Sequence, residues 1–323
     1  MSINHEHVMV TGAAGFIGSS LCETLLAQGW RVTGIDNFSP NYAEAAKREN
    51  LRGSLTSKRF TLVECDVGGE GFRSCLEPNR PDVIVHLAAT PGVRPSVEHV
   101  LEYVDNNVRA TANVLASAVS GGVPKVIFAS SSSVYGESSG RPALEDDTLV
   151  PLSPYAATKV SGEALCRSFV ACHDIAVTCL RFFTTYGPRQ RPDMALTKLA
   201  GCIQSGRPFL MNGDGRSLRD YTHISDIVAG ICASLNHEER FDIFNLGSGK
   251  PVDLKTMIEV TSEAFARSPV LQQVELPTCE PQRTCADIGR AAAKLGYKPQ
   301  VDFRAGVAEF AEWFLASKNR WPT

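Results

Sequence analysis

Short apolar runs rich in β-branched residues alternate with longer stretches of helical period through the first half of the chain. The runs at 8–11, 31–35, 60–64, 83–87, 125–130 and 177–182 are mostly apolar on successive residues. That pattern predicts strands covered on both faces, since half-exposed strands alternate. Between them, Leu101, Val104, Val108, Leu115 and Val119 recur at roughly helical period, as do Val160, Ala164, Leu165, Phe169 and Cys172. They predict amphipathic helices over 97–120 and 155–172. Strand–helix alternation of this kind specifies an α/β fold built on a Rossmann-type, doubly wound parallel sheet.

The pattern changes after residue 183. Residues 184–192 are rich in Pro, Gly and Arg, 213–219 and 276–283 are polar and turn-like, and helical periods return at 224–235, 254–265 and 303–317. This predicts a dinucleotide-binding domain over 1–183 and a smaller α/β substrate-binding domain over 184–323. Segments near 220–248 are expected to return to the first domain.

Composition narrows the function classes. The 323 residues carry 32 Lys+Arg against 35 Asp+Glu, a formal charge of −3, with 43% apolar residues. A nucleic-acid binder would show a basic excess, so none is expected as partner. No apolar run is long enough to span a bilayer, and residues 1–7 lack the basic-then-apolar order of a signal peptide. The ten cysteines are scattered, and no two have Cys-x-x-Cys spacing. They read as small buried hydrophobes in a reducing cytoplasm, and no metal centre is predicted.

The chemistry starts at Thr11-Gly12-Ala13-Ala14-Gly15-Phe16-Ile17-Gly18, a strand end, a glycine turn and a helix start. Bare backbone at Gly12 and Gly15 approaches a pyrophosphate at the positive end of a helix, and Gly18 lets that helix pack on the strand. Asp36 ends the second strand, where a carboxylate accepts from the adenosine ribose hydroxyls and repels a 2′-phosphate. Asn37 rather than Arg follows, which favours NAD over NADP. Asp66 and Val67 after the third strand, and Leu87, Ala88 and Ala89 after the fourth, fall where such a sheet meets its cofactor. Tyr155 and Lys159 lie four residues apart, one helical turn, on one face. A free phenol, with a pKa of about 10, is a poor base at neutral pH. A neighbouring ammonium and a positive nicotinamide ring stabilise its phenolate. The serine run at 130–133 leaves the fifth strand at the same edge.

With these motifs together, the sequence resembles the extended short-chain dehydrogenase/reductase family, specifically its nucleotide-sugar 4-epimerases. The likeness extends through His86-Leu87-Ala88-Ala89, Asp105-Asn106-Asn107-Val108, Arg219-Asp220-Tyr221 and Asn245-Leu246-Gly247-Ser248-Gly249. It implies catalytic roles for Ser131, Tyr155 and Lys159, with Ser130 or Ser132 as alternatives to Ser131. It also implies that Lys159 holds the nicotinamide ribose, that Asn106 positions the loop near the nicotinamide, that Phe182 is among the cofactor-binding residues, and that Arg219 pairs with the diphosphate. Glu280 would accept from the uridine ribose. A homodimer pairing the helices at 97–120 and 155–172 is a further expectation.

The stretch from Arg181 to Ala195, and Pro91 to Ser96, looks like the UDP-glucuronate 4-epimerases. A C6 carboxylate suits a guanidinium fork, here Arg191, with hydroxyls from Thr184, Ser132 and Ser133. Arg94 is expected to reach the sugar or the diphosphate. The implied isomerase reaction takes UDP-glucuronate to UDP-galacturonate through a transient 4-keto sugar, with tightly held NAD. A UDP-glucose or UDP-N-acetylhexosamine 4-epimerase is the alternative. Family 4,6-dehydratases and UDP-glucuronate decarboxylases place a carboxylate beside the catalytic hydroxyl; Ser132 and Ser133 stand there in this chain. A 4-keto uronate is also a β-keto acid, so an epimerase must hold the carboxylate out of alignment with the ketone, a matter of fixed geometry.

Overall fold

The computed structural model describes residues 6–76, 80–137, 140–275 and 281–317. In chain order its first strands are β1 (His7–Thr11), β2 (Arg31–Asp36), β3 (Phe60–Glu64), β4 (Val83–His86), β5 (Lys125–Ser131) and β6 (Ala176–Phe182). Each agrees with its sequence-predicted run to within a residue at either end. The short strands β7 (Thr184–Tyr186), β8 (Phe209–Asn212), β9 (Leu218–Arg219) and β10 (Tyr221–His223) follow, then β11 (Phe241–Leu246), β12 (Val252–Asp253) and β13 (Leu271–Val274). Strands β11, β6, β5, β4, β1, β2 and β3 make one seven-stranded sheet in that order, parallel throughout. The order reverses between β1 and β4, and it is outside the carboxyl ends of strands at such a point that these sheets bind ligands.

The helices are α1 (Phe16–Ala27), α2 (Glu44–Asn50), α3 (Pro95–Glu98), α4 (Val100–Tyr103), α5 (Ala110–Ser120) and α6 (Pro154–Cys172). In the second half come α7 (Ala195–Ser205), α8 (Ile224–Leu235), α9 (Leu254–Ala264), α10 (Gly289–Leu295) and α11 (Phe303–Ala316). One face of the sheet is covered by α1, α8 and α10, through Leu21, Leu25, Ile227, Ile231 and Ala291. The other is covered by α5 and α6, through Val114, Leu115, Ala118, Cys166 and Val170. A separate core joins α7, α9 and α11 around Leu199, Met257 and Phe310. We propose a division into a nucleotide-binding layer and a smaller lobe. Residues 224–246 and 289–297 then belong to the first, because α8, β11, α10 and Tyr297 pack into its core.

Two helical expectations need correction. The single helix predicted over 97–120 is broken into α3, α4, a π-helical segment (Val104–Arg109) and α5. The extra residue per turn in the π segment rotates the helix face. Leu101 and Val104 of the predicted apolar stripe therefore stay exposed, while Tyr103 and Asn107 are buried. In α6 the buried face is Ala156, Thr158, Lys159, Gly162, Glu163, Cys166 and Val170; of the predicted stripe, Val160, Leu165 and Phe169 pack partly buried while Ala164 and Cys172 are exposed. Among the described residues, no helix is long and apolar enough to cross a membrane.

Candidate active site

The glycine turn is built for close approach. Gly12 has φ +71°, and a Cβ there would lie 2.9 Å from the Ala88 backbone nitrogen. A Cβ on Gly18 would overlap the Gly12 carbonyl oxygen, so α1 packs directly on the turn. Helix α1 begins at Phe16 with no side-chain cap on its amino end, which leaves uncapped amide donors facing the sheet edge. Asp36 is buried at the end of β2. Its carboxylate accepts from the Ala14 and Phe38 amides at 2.9 and 2.8 Å, tying the glycine turn to β2. Each oxygen keeps a lone pair for a ribose hydroxyl. Asn37 is exposed beside it, Asp66 caps its own turn through the Gly68 amide, and Val67 is buried. This glycine cradle, uncapped helix end and ribose carboxylate fit the adenosine diphosphate half of NAD.

From Ala88 the loop toward the opposite half is held by a hydrogen-bond chain whose directions can be assigned. The Ala88 amide donates to the Thr11 hydroxyl at 3.2 Å, which donates to His86 Nδ1 at 2.8 Å. His86 Nε2 then donates to the Thr111 hydroxyl at 3.1 Å, and that hydroxyl donates to the Asn107 carbonyl at 2.6 Å. The fully buried imidazole is thus neutral, with the proton on Nε2, and burial followed by the Lys159 charge pushes its pKa down to about 3. Unfolded chains take up this proton near pH 6.5 and the folded one does not, so stability is full above 6.5 and falls as pH drops toward 3. Between pH 7 and 5 the expected loss is about 2 kcal/mol. Denaturant unfolding at both pH values, beside a His86→Gln variant with the flatter dependence, checks it.

Asn106 donates to the Thr90 hydroxyl at 2.9 Å, as the loop-positioning role requires. Asn107 does more. Its side chain bonds both the amide and carbonyl of Thr90 and donates to Thr158 of α6. The doublet Asn106-Asn107 carried that signal, but sequence reading credited only the first residue.

At the carboxyl end of β5 the serine run divides its labour. Ser130 is buried and donates to Glu163 at 2.5 Å, so it is committed to the interior. Ser131 accepts from the Ser133 amide and hydroxyl and lies near enough to the Tyr155 phenol to favour its ionised form. The structure thus brings Ser131 rather than Ser130 to Tyr155. Ser132 lies in the same half-buried turn. Glu163 is near this run, but both its oxygens are held by Arg181 at 2.8 and 2.7 Å, so it is no free base.

Lys159 donates to the Ala129 carbonyl at 2.8 Å, and its burial pushes its pKa down to about 8. Tyr155 is held above the ordinary phenol range by burial, opposed by the nearby Ser131 hydroxyl and the Arg191 charge. The Lys159 ammonium sits 5.9 Å from the Tyr155 ring centre, so two cations stand near the phenol. Tyr103, which sequence reading missed, packs edge-on against Tyr155 at 6.3 Å and donates to the Pro91 carbonyl.

Phe182 pairs with Ser131 across β6 and β5, and Thr184 begins β7 just beyond it. Arg191 is near enough to Tyr155 to bias its titration, and its Nε and Nη2 donate to the two oxygens of Asp193, each at 2.9 Å. Arg219 lies half-buried on β9 and donates to the Leu218 carbonyl. Its neighbour Asp220 is fully buried and accepts from Ser248, Gly249 and Ala286, clamping the loop after β11. Arg94 is exposed at the start of α3. Glu280 lies outside the described residues. Leu87 and Ala89 line the half-buried loop beside Ala88, and Ile17 follows Phe16 in the first turn of α1.

The chain is similar to known proteins along most of its length. A family model described as "NAD dependent epimerase/dehydratase family" matches residues 8–247. The chain is 39% identical over 303 residues to a Bacillus subtilis (strain 168) protein named "Uncharacterized UDP-glucose epimerase YtcB", covering 93% of this chain and 95% of that one. It is 34% identical to a UDP-glucuronate 4-epimerase of Thermodesulfobacterium geofontis, covering 95% of each. Among solved structures, UDP-glucuronic acid 4-epimerase from Bacillus cereus, crystallised with UDP-glucuronic acid and NAD, superposes with a TM-score of 0.91 at 35% identity. That match covers 96% of this chain and 99% of the other. The chain belongs to the NAD dependent epimerase/dehydratase family.

Proposed function

We propose that the protein is an isomerase that inverts C4 of UDP-glucuronate to give UDP-galacturonate, with retained NAD. The observation that carries this reading is Tyr155 with Ser131 and Arg191 both near enough to favour its phenolate, on a sheet edge fitted for a dinucleotide. Bound NAD would supply reversible hydride acceptance at the sugar C4. Gly12, Gly15 and the first turn of α1 would receive its pyrophosphate, Asp36 its adenosine ribose, and Lys159 its nicotinamide ribose.

The chain's own residues handle the proton. Tyr155 takes the C4 hydroxyl proton, with the neighbouring Ser131 hydroxyl orienting the sugar, and gives it back after inversion. Its phenol is held high without ligands, so proton transfer awaits the bound cofactor's positive charge, which lowers the cost of phenolate. Arg191, Thr184 and the serine turn fix the carboxylate, and Arg219 takes the diphosphate. The net redox change is zero.

An epimerase of neutral UDP-sugars is the second reading, favoured by the 39% identity to the Bacillus subtilis protein. Purified protein incubated without added NAD separates the two. Formation of UDP-galacturonate from UDP-glucuronate is the expected result; turnover of UDP-glucose alone overturns it. We place the enzyme in the cytoplasm on its free, mostly covered cysteines, and as a homodimer on the exposed row Val97, Val100, Leu101 and Val104.

A further inference from the structure

Arg191, Pro192, Asp193 and Met194 form a tight turn, closed by the Met194 amide donating to the Arg191 carbonyl at 3.3 Å. Proline at its second position fixes the backbone and sets residues one and three on the same side. The guanidinium and carboxylate are thus paired by local geometry rather than by chance contact. Asp193 takes one edge of the guanidinium, Nε with Nη2. The other edge, Nη1 with the second Nη2 hydrogen, meets no hydrogen-bond acceptor among the described residues. Arginine has five donors in a planar fork, so two carboxylates can be held at once, edge by edge. The Asp193 side chain is half-exposed (52%) although that of Arg191 is largely covered (22%), and a pair open to solvent on one side contributes only modestly to stability. The pair is poorly explained as a structural brace.

We propose that Asp193 is a positioning residue, locking the Arg191 fork so that its second edge receives the C6 carboxylate of the substrate. This rests on the uronate reading above. It explains how a flexible side chain can hold a carboxylate out of alignment with the C4 ketone. When that hold loosens, the C5–C6 bond can break. Its electron pair then passes into the ketone as an enolate, a proton adds at C5, and carbon dioxide leaves; return to C4 of the hydride first taken from it turns the resulting 4-keto pentose into a UDP-pentose.

Asp193→Asn keeps the shape and removes the charge. The expected result is a KM for UDP-glucuronate raised roughly tenfold, kcat changed little, and a decarboxylated UDP-pentose among the products. Nicotinamide content and circular dichroism unchanged from the parent establish the fold. In an Arg191→Ala background, whose KM is already raised, the same substitution is expected to add nothing, because the first residue acts through the second. An unchanged KM overturns the proposal. So does a lower one, which would make Asp193 a competitor for the fork, and so do additive effects in the double variant. Failure of the parent protein to turn over UDP-glucuronate removes the uronate reading as well; the other outcomes remove this proposal alone.

Discussion

Tyr155→Phe is expected to lower kcat for C4 epimerisation by about 10³-fold, within the range that a positioned acid–base group contributes. The substitution removes one oxygen from a side chain whose ring packs against Tyr103 and whose hydroxyl lies near Ser131. The ring stays, so packing is retained, and KM for the nucleotide sugar should move much less than kcat. Among the described residues, the candidates near the phenol are all otherwise engaged. Lys159 is turned to the Ala129 carbonyl, Glu163 is closed by Arg181, and His86 has its Nδ1 occupied by Thr11. Steady-state product formation from UDP-glucuronate, with bound nicotinamide quantified in parallel, is the measurement. A kcat within tenfold of the parent would remove Tyr155 from the chemistry.

The sheet was readable because its strands are buried on both faces, and such strands announce themselves as continuous apolar runs. The glycine turn was readable for a similar reason, since Gly12 tolerates no Cβ and only one residue type fits. Helix α6 shows where the pattern fails. Its buried face carries Thr158, Lys159 and Glu163, all in polar contacts, while Ala164 and Cys172 of the apolar stripe are exposed. A catalytic helix puts its polar face inward, which inverts the signal that periodicity relies on. The π segment hid Asn107 in another way, by shifting the helix face within the predicted span. Asp193 left a faint trace. The order Arg-Pro-Asp is a turn signature, but the pairing of its ends shows only in three dimensions.

Glu163 marks the largest expected loss of stability. Its carboxylate and the Arg181 guanidinium form a two-pronged pair with side chains 6% and 2% exposed. Arg181 also donates to the Tyr135 hydroxyl and the Glu145 carbonyl, and Tyr135 donates to Asn245. Glu163→Ala would strand a buried guanidinium and leave the Ser130 hydroxyl without its acceptor. Removing one member of such a pair costs about 3–5 kcal/mol, a large share of the roughly 5–15 kcal/mol that holds a domain folded. Expected results are a midpoint for thermal unfolding lower by on the order of 10 °C and reduced soluble yield. A double variant, Glu163→Leu with Arg181→Met, is expected to regain part of the loss, because no charge is then left unpaired. Equal melting of Glu163→Ala and the parent would show that water reaches Arg181 and that the pair is no true interior contact. Lower stability in the double variant than in Glu163→Ala would instead locate the cost in Tyr135 and Glu145, the other partners of the guanidinium. In either case the serine turn is the part of the catalytic edge exposed to the change. Ser130 precedes Ser131 directly, and Tyr135 closes the short 3-10 helix that follows it.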